Sequence, residues 1–162
     1  MADSRLEARY RRADMHEPVL VAIEDDVDSL IDALLAGPPF HDAAHLVSRA
    51  RPMTGLGFPD HELYVGVNRD AQVGALVLLA PETGFVASVG VLGSQIEVVY
   101  HVAGHGTEFP ADSEIPLGLV RSAVKEFLHS GGGVPTCVVW KPIEVAAEDS
   151  DDDQDPWGSS DG

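Results

Sequence analysis

The run Leu63-Tyr64-Val65-Gly66-Val67-Asn68-Arg69-Asp70-Ala71-Gln72-Val73-Gly74-Ala75-Leu76-Val77-Leu78-Leu79-Ala80-Pro81-Glu82-Thr83-Gly84-Phe85 decides the fold. Leu63, Val65 and Val67 alternate with Tyr64 and Gly66, the two-residue period of a strand. Asn68-Arg69-Asp70 reads as a tight hairpin loop into a second apolar strand, Val73–Leu79. Pro81-Glu82-Thr83-Gly84 turns the chain again, into Phe85–Val89. Connections this short join only antiparallel neighbours, because parallel pairing needs a long crossover. Val98–Val102 and Thr136–Trp140 read as further strands, and so does Val19–Ile23.

Two segments carry a helical period. Val27, Leu30, Ile31, Leu34 and Leu35 lie on one face of a helix. Asp25 or Asp26 can accept the orphan N–H groups at its start, and Gly37-Pro38-Pro39 stops it. The second helix runs from Pro116 to about His129, with Val120, Ala123, Val124, Phe127 and Leu128 on one face and Gly131-Gly132-Gly133 after it. The expected architecture is α+β: an antiparallel β-meander of about five to six strands, with two main helices packed on one face.

The chain has 162 residues, of which 44% are hydrophobic, enough for a real core. Ten Lys and Arg oppose 27 Asp and Glu, a formal net charge of −17. That balance argues against unassisted binding to nucleic acid or anionic lipid, which requires neutralising phosphates with bases, and it suits a basic partner. The acidity is uneven. Residues 144–162 hold eight acids and no base, so nineteen acids remain against ten bases in residues 1–143, a net −9. The expected organisation is a basic N-terminal arm over residues 1–17, with Arg5, Arg9, Arg11 and Arg12 in a frayed helix; an α+β domain over 18–145; and an acidic disordered tail over 146–162, with Trp157 a solvated bystander. A lone cysteine, Cys137, excludes an internal disulfide. The N-terminus lacks the apolar core of a secretory signal, and no segment approaches the ~18 apolar residues of a membrane helix. A cytoplasmic protein is expected.

Seven histidines raise a metal hypothesis. His41 and His45 stand four apart, a spacing that shares a helix face, but Asp42 replaces the glutamate a metalloprotease uses and no third ligand follows. His101 and His105 leave a strand into a glycine turn and cannot share a metal unless that turn folds back. Cys137 sits in an apolar run, there is no Gly-x-Ser-x-Gly elbow, and Gly55-Leu56-Gly57 precedes Phe58-Pro59 rather than a helix. Carboxylate pairs on an acidic protein do not by spacing alone select a catalytic pair. The sequence supports no enzyme, no metal and no cofactor.

The stretch from Val99 to Trp140 is the most specific. It carries Tyr100, Gly104-His105-Gly106-Thr107-Glu108-Phe109-Pro110, Glu114-Ile115-Pro116, Ala123-Val124-Lys125-Glu126-Phe127-Leu128, Pro135 and Val138-Val139-Trp140. In this order the motifs resemble the first-numbered immunity-protein family of bacterial polymorphic toxin systems, over about residues 18–142. The turn Ser130-Gly131-Gly132-Gly133-Val134-Pro135 departs from the family pattern by one extra residue and by lacking its arginine. The resemblance implies a protein that turns over no substrate and instead binds and neutralises a cognate toxin, a nucleic-acid deaminase of the cytidine type foremost, by blocking its active site or substrate groove. It implies no small-molecule substrate, no direct nucleic-acid contact and no membrane. Charge complementarity then selects Glu97, Glu108, Asp112 and Glu114, around the Gly104–Glu114 loop, as residues facing toxin bases, with Asp25 and Asp26 a second candidate. A small metal-dependent hydrolase using the histidines and an acidic nucleic-acid-mimic adaptor are the alternatives.

Overall fold

The computed structural model describes residues 5–51, 55–90 and 98–143. The expected acidic tail and Glu97 lie outside the described residues.

In chain order the elements are β1 (Leu6–Arg9), a 3-10 turn (Arg12–Met15), β2 (Val19–Val21), α1 (Glu24–Ala36), β3 (Ala43–Ser48), β4 (Glu62–Asn68), β5 (Val73–Ala80), β6 (Gly84–Ser88), β7 (Val98–Val102), β8 (His105–Phe109), β9 (Ile115–Pro116), α2 (Leu117–His129) and β10 (Trp140–Pro142). Eight strands form one sheet in the order β10-β6-β5-β4-β3-β1-β2, with β9 paired to the start of β5. All of its pairings are antiparallel. β7 and β8 form a separate hairpin. The α+β class and the two helices are as expected, but the strands outnumber the five or six read from the sequence.

Two local expectations need correction. Residues 6–9 are not a frayed helix: β1 lies inside the sheet between β2 and β3. Leu6 and Ala8 are fully buried and alternate with Glu7 and Arg9, so burial of a two-residue pattern outweighs the helix preference of those residue types. The strand expected over Thr136–Trp140 begins only at Trp140. The Glu126 carboxylate of α2 accepts the Thr136 N–H and hydroxyl and the Cys137 N–H, so these donors are not available to a ladder. Those bonds, from Thr136 foremost, hold the Glu126 carboxyl below its ordinary range.

Both helices pack on one face of the sheet, as the apolar stripes require. Val27, Ile31, Val120, Val124 and Phe127 meet Leu6, Leu46, Leu63, Leu76 and Leu78 in one continuous core. Arg121 bridges Asp28 and Asp32 and Lys125 pairs with Asp28, which ties α2 to α1 at the surface. The Trp140 indole N–H donates to the Pro135 carbonyl at 2.9 Å, and its ring packs against this core. The Asp26 carboxylate accepts the Ala22 and Ile23 N–H groups, anchoring the entry to α1.

The opposite face is built from small residues. Ala43, Ala75, Val77 and Ala87 are buried there under Tyr100, Val102 and Phe109 of the β7–β8 hairpin. Gly66 lies directly beneath Tyr100: a Cβ at this position would stand 2.3 Å from the ring. The near-continuous apolar run of β5 therefore belongs to a strand covered on both faces. Ser88 sets the hairpin's exit. Its hydroxyl accepts the Leu76 N–H where β6 leaves β5 and donates to the Ser113 carbonyl at 2.6 Å. This leaves the first residues of β5 to pair with β9.

Candidate functional site

The hairpin's alternation divides its side chains into two sets. Tyr100, Val102 and Phe109 point at the sheet, so Val99 and His101, with Glu108 opposite Val99, form the outer side. Val99 is 47% exposed and Glu108 is exposed. The turn between the strands is the two residues Ala103 and Gly104, both at positive φ (50° and 89°), the geometry of a type I′ hairpin.

The segment after α1 holds this hairpin in place. The Asp42 carboxylate accepts the His101 N–H at 2.6 Å, and the Phe40 carbonyl accepts the Gly104 N–H at 2.9 Å. Phe40 is 61% exposed, has φ 67°, and sets its ring edge-to-face on His101 at 4.9 Å between centroids. An exposed aromatic residue in the left-handed region is uncommon, because its Cβ opposes that conformation. Pro38-Pro39 ends the helix and delivers the chain to this position, so the sequence that stops α1 also presents the ring.

Beside Phe40 opens a cleft of about 350 Å³ between the end of α1, the β4–β5 turn and β7. Its walls include Leu35, Pro39, Val67 and Val99, with the acids Asp42, Asp70 and Glu114 and the base Arg69. Arg69 reaches the Leu35 carbonyl at the end of α1. At the cleft's inner wall the Tyr100 hydroxyl donates to Glu114 Oε2 at 3.0 Å. Burial, helped by the Glu114 charge, pushes the Tyr100 phenol far above its ordinary value, so it stays a donor at any physiological pH.

The carboxylates selected from the sequence fall into different settings. Glu108 lies on the outer side of β8. Asp112 is exposed at φ 70°, its carboxylate 3.9 Å from the Lys141 ammonium. Glu114 is 8% exposed and turned inward to Tyr100, so it shapes the cleft from within. Asp25 and Asp26 stand at the start of α1, on the helix side of the sheet, and Asp26 is occupied by the Ala22 and Ile23 amides. Glu108, Asp112 and Glu114 thus lie on the hairpin or just after it, while Asp25 and Asp26 stand on the other face of the sheet. Sequence reading missed Phe40, Asp42, Asp70 and the outward Val99. An aromatic directly after Pro38-Pro39 was the available signal for Phe40.

The histidines do not converge. His45 lies on β3 rather than a helix and bonds Glu62 at 2.8 Å, while His41 bonds the Pro39 carbonyl. The glycine turn does fold back, but the alternation puts His101 outside and His105 on the side of its partner Val102. Among the described residues no three His, Cys, Asp or Glu side chains are grouped as metal ligands. His61 is buried. Its Nε2 accepts the Ser48 N–H at 2.7 Å and its Nδ1 faces Asp60 at 2.9 Å, so the ring belongs to the support of the β3–β4 connection. Among the described residues no helix is long and apolar enough to cross a membrane.

The family model described as immunity protein Imm1 matches residues 15–142, and no curated protein matches the chain. That match covers the sheet from β2 to β10, both helices and the hairpin.

Proposed function

The chain belongs to the Imm1 immunity protein family, and from this premise we propose that it binds a cognate toxin, a nucleic-acid deaminase of the cytidine type, and neutralises it. It acts by covering the toxin's active site or substrate groove, in the cytoplasm of the cell that makes both, and turns over no substrate itself. Family membership supports the immunity role and its non-enzymatic character.

The observation that carries the choice of toxin class is how the charge is spent. Among the described residues, bases are largely taken up by the chain's own acids: Arg11 by Asp14, Arg51 by Asp60 and Glu82, Arg121 by Asp28 and Asp32, Lys125 by Asp28, and Arg9 and Arg49 by Glu7. The acid surplus therefore faces outward. An enzyme acting on DNA or RNA presents a basic groove to phosphates, and an acidic surface complements it. Glu108 and Asp112, on and just after the hairpin, are our first choice for contacts to toxin bases, together with Glu97 and Glu114. Asp25 and Asp26 form the second choice.

Co-expression with the toxin domain encoded beside this chain tests the reading. Restored growth and a complex that persists at physiological salt are expected. Unchanged killing contradicts the neutralising role. A complex that dissolves between low and physiological salt instead indicates a non-specific acidic adaptor.

A further inference from the structure

We propose that Phe40 is the anchor of the docking surface and that the cleft beside it receives an arginine side chain of the toxin. This deepens the toxin-neutralising reading and rests on it.

Phe40 stands between Pro39 and Asp42, both of which line the cleft. Its ring is 61% exposed, yet its backbone is held at φ 67° by a hydrogen bond from Gly104 of the hairpin turn. The ring belongs to neither buried core and meets the fold through its edge contact with His101, while glycine or asparagine would adopt the same backbone at lower cost. Strained, exposed positions of this kind accompany binding sites, and aromatic residues dominate the energetics of interfaces. Val99, exposed on the neighbouring outer strand, extends the apolar contact area.

The cleft supplies the complementary half. At about 350 Å³ it has the size of a small-ligand pocket and admits one long side chain. Val99 and Leu35 can cover an alkyl stem, and the rim acids Asp42 and Asp70 outnumber the resident base, Arg69. Arginine fits better than lysine. Its planar guanidinium pairs with two carboxylate oxygens in a fixed fork, whereas an ammonium is a compact, strongly hydrated charge. An acidic toxin segment is excluded by the same walls.

Two measurements on the full chain decide the matter. In the first, N-acetyl-argininamide is titrated and followed by backbone amide NMR, with N-acetyl-citrullinamide as the neutral isostere. Saturable shifts at Asp42, Asp70 and Val99 with the arginine probe alone, weakened by Asp70→Asn, are expected. Shifts spread over the acidic surface, Asp25 included, or equal shifts with citrulline overturn the cleft assignment. In the second, Phe40→Gly and Phe40→Asn are compared with wild type for melting and for affinity to the toxin domain. A melting temperature equal to or above wild type with affinity weakened about 30-fold or more, the scale of an interface hot spot, is expected. Wild-type affinity in both variants, with or without a fall in melting temperature, assigns Phe40 a structural role and overturns the inference. Failure of the wild-type chain to bind the toxin overturns the functional reading itself, a distinct result.

Discussion

The two faces of the sheet are built on opposite plans. Against the helices the sheet presents Leu6, Leu46, Leu63, Leu76 and Leu78, all fully buried, and the opposing surface is Phe127, Val120 and Val124. Against the hairpin it presents Ala43, Gly66, Ala75 and Ala87, small enough for Tyr100 to lie close to the backbone. The first plan maximises buried apolar area. The second spends little area, fixes the hairpin by its N–H bonds to the Asp42 carboxylate and the Phe40 carbonyl and its exit by the Ser88 hydroxyl, and leaves Phe40 and Val99 outside. The large apolar core lies on one face, and the docking surface we propose lies on the other.

That division can be broken most severely from the helix side. Phe127→Ala removes a fully buried ring at the centre of the large core and should cost about 3–5 kcal/mol in denaturant unfolding. The surviving folded fraction should bind toxin with unchanged affinity. A loss below about 1 kcal/mol would mean that the core repacks and that the two faces are not distinct in kind.

Gly66→Ala probes the other face. The new methyl meets the Tyr100 ring, which must shift with its strand, at a cost of about 1–3 kcal/mol for overpacking. Unlike Phe127→Ala, it should also weaken toxin binding in the folded molecule, because it displaces the hairpin that carries Val99 and Glu108. Undiminished affinity would detach recognition from the hairpin.

Acidity sharpens the contrast by a smaller margin. Burial lowers the His61 pKa, against the opposing pull of Asp60, with the charges of Arg51 and Glu82 also bearing on the ring. Above the unfolded value of about 6.5 both states are neutral and His61 adds no pH dependence. As pH falls below it, the unfolded chain takes up the proton first, so stability declines. The urea midpoint should therefore drop between pH 7.5 and 5.5, and His61→Gln should flatten that slope. An equal slope in the variant would place the acid sensitivity elsewhere.

Phe40→Gly gives the smallest shift and the most telling sign. Relief of a left-handed aromatic residue outweighs the loss of one edge contact with His101 and should stabilise the chain by about 0.5–1 kcal/mol in thermal melts. A clear destabilisation would mean that this ring serves the fold.

The helix face was the legible half of the molecule. Both helices announce themselves by period and by Gly and Pro stops, and β4 to β6 by alternation and turns. β1 and β3 were hidden because Leu6-Glu7-Ala8-Arg9 and Ala43-Ala44-His45-Leu46 use residues with helical preference, and only their neighbours in space make them strands. The site was harder to read. Its acids come from the α1–β3 connection, the β4–β5 turn and the segment before β9, which meet only after the sheet closes. Glu114 looked like an outward carboxylate and instead turns toward Tyr100, a partner fourteen residues away in the chain.

We propose that this chain stops a toxin by occupying it. A titration of the purified toxin domain's catalytic activity with the full chain at physiological salt addresses it directly. Activity should fall linearly to zero at one chain per toxin. Full activity with the chain in molar excess would contradict it.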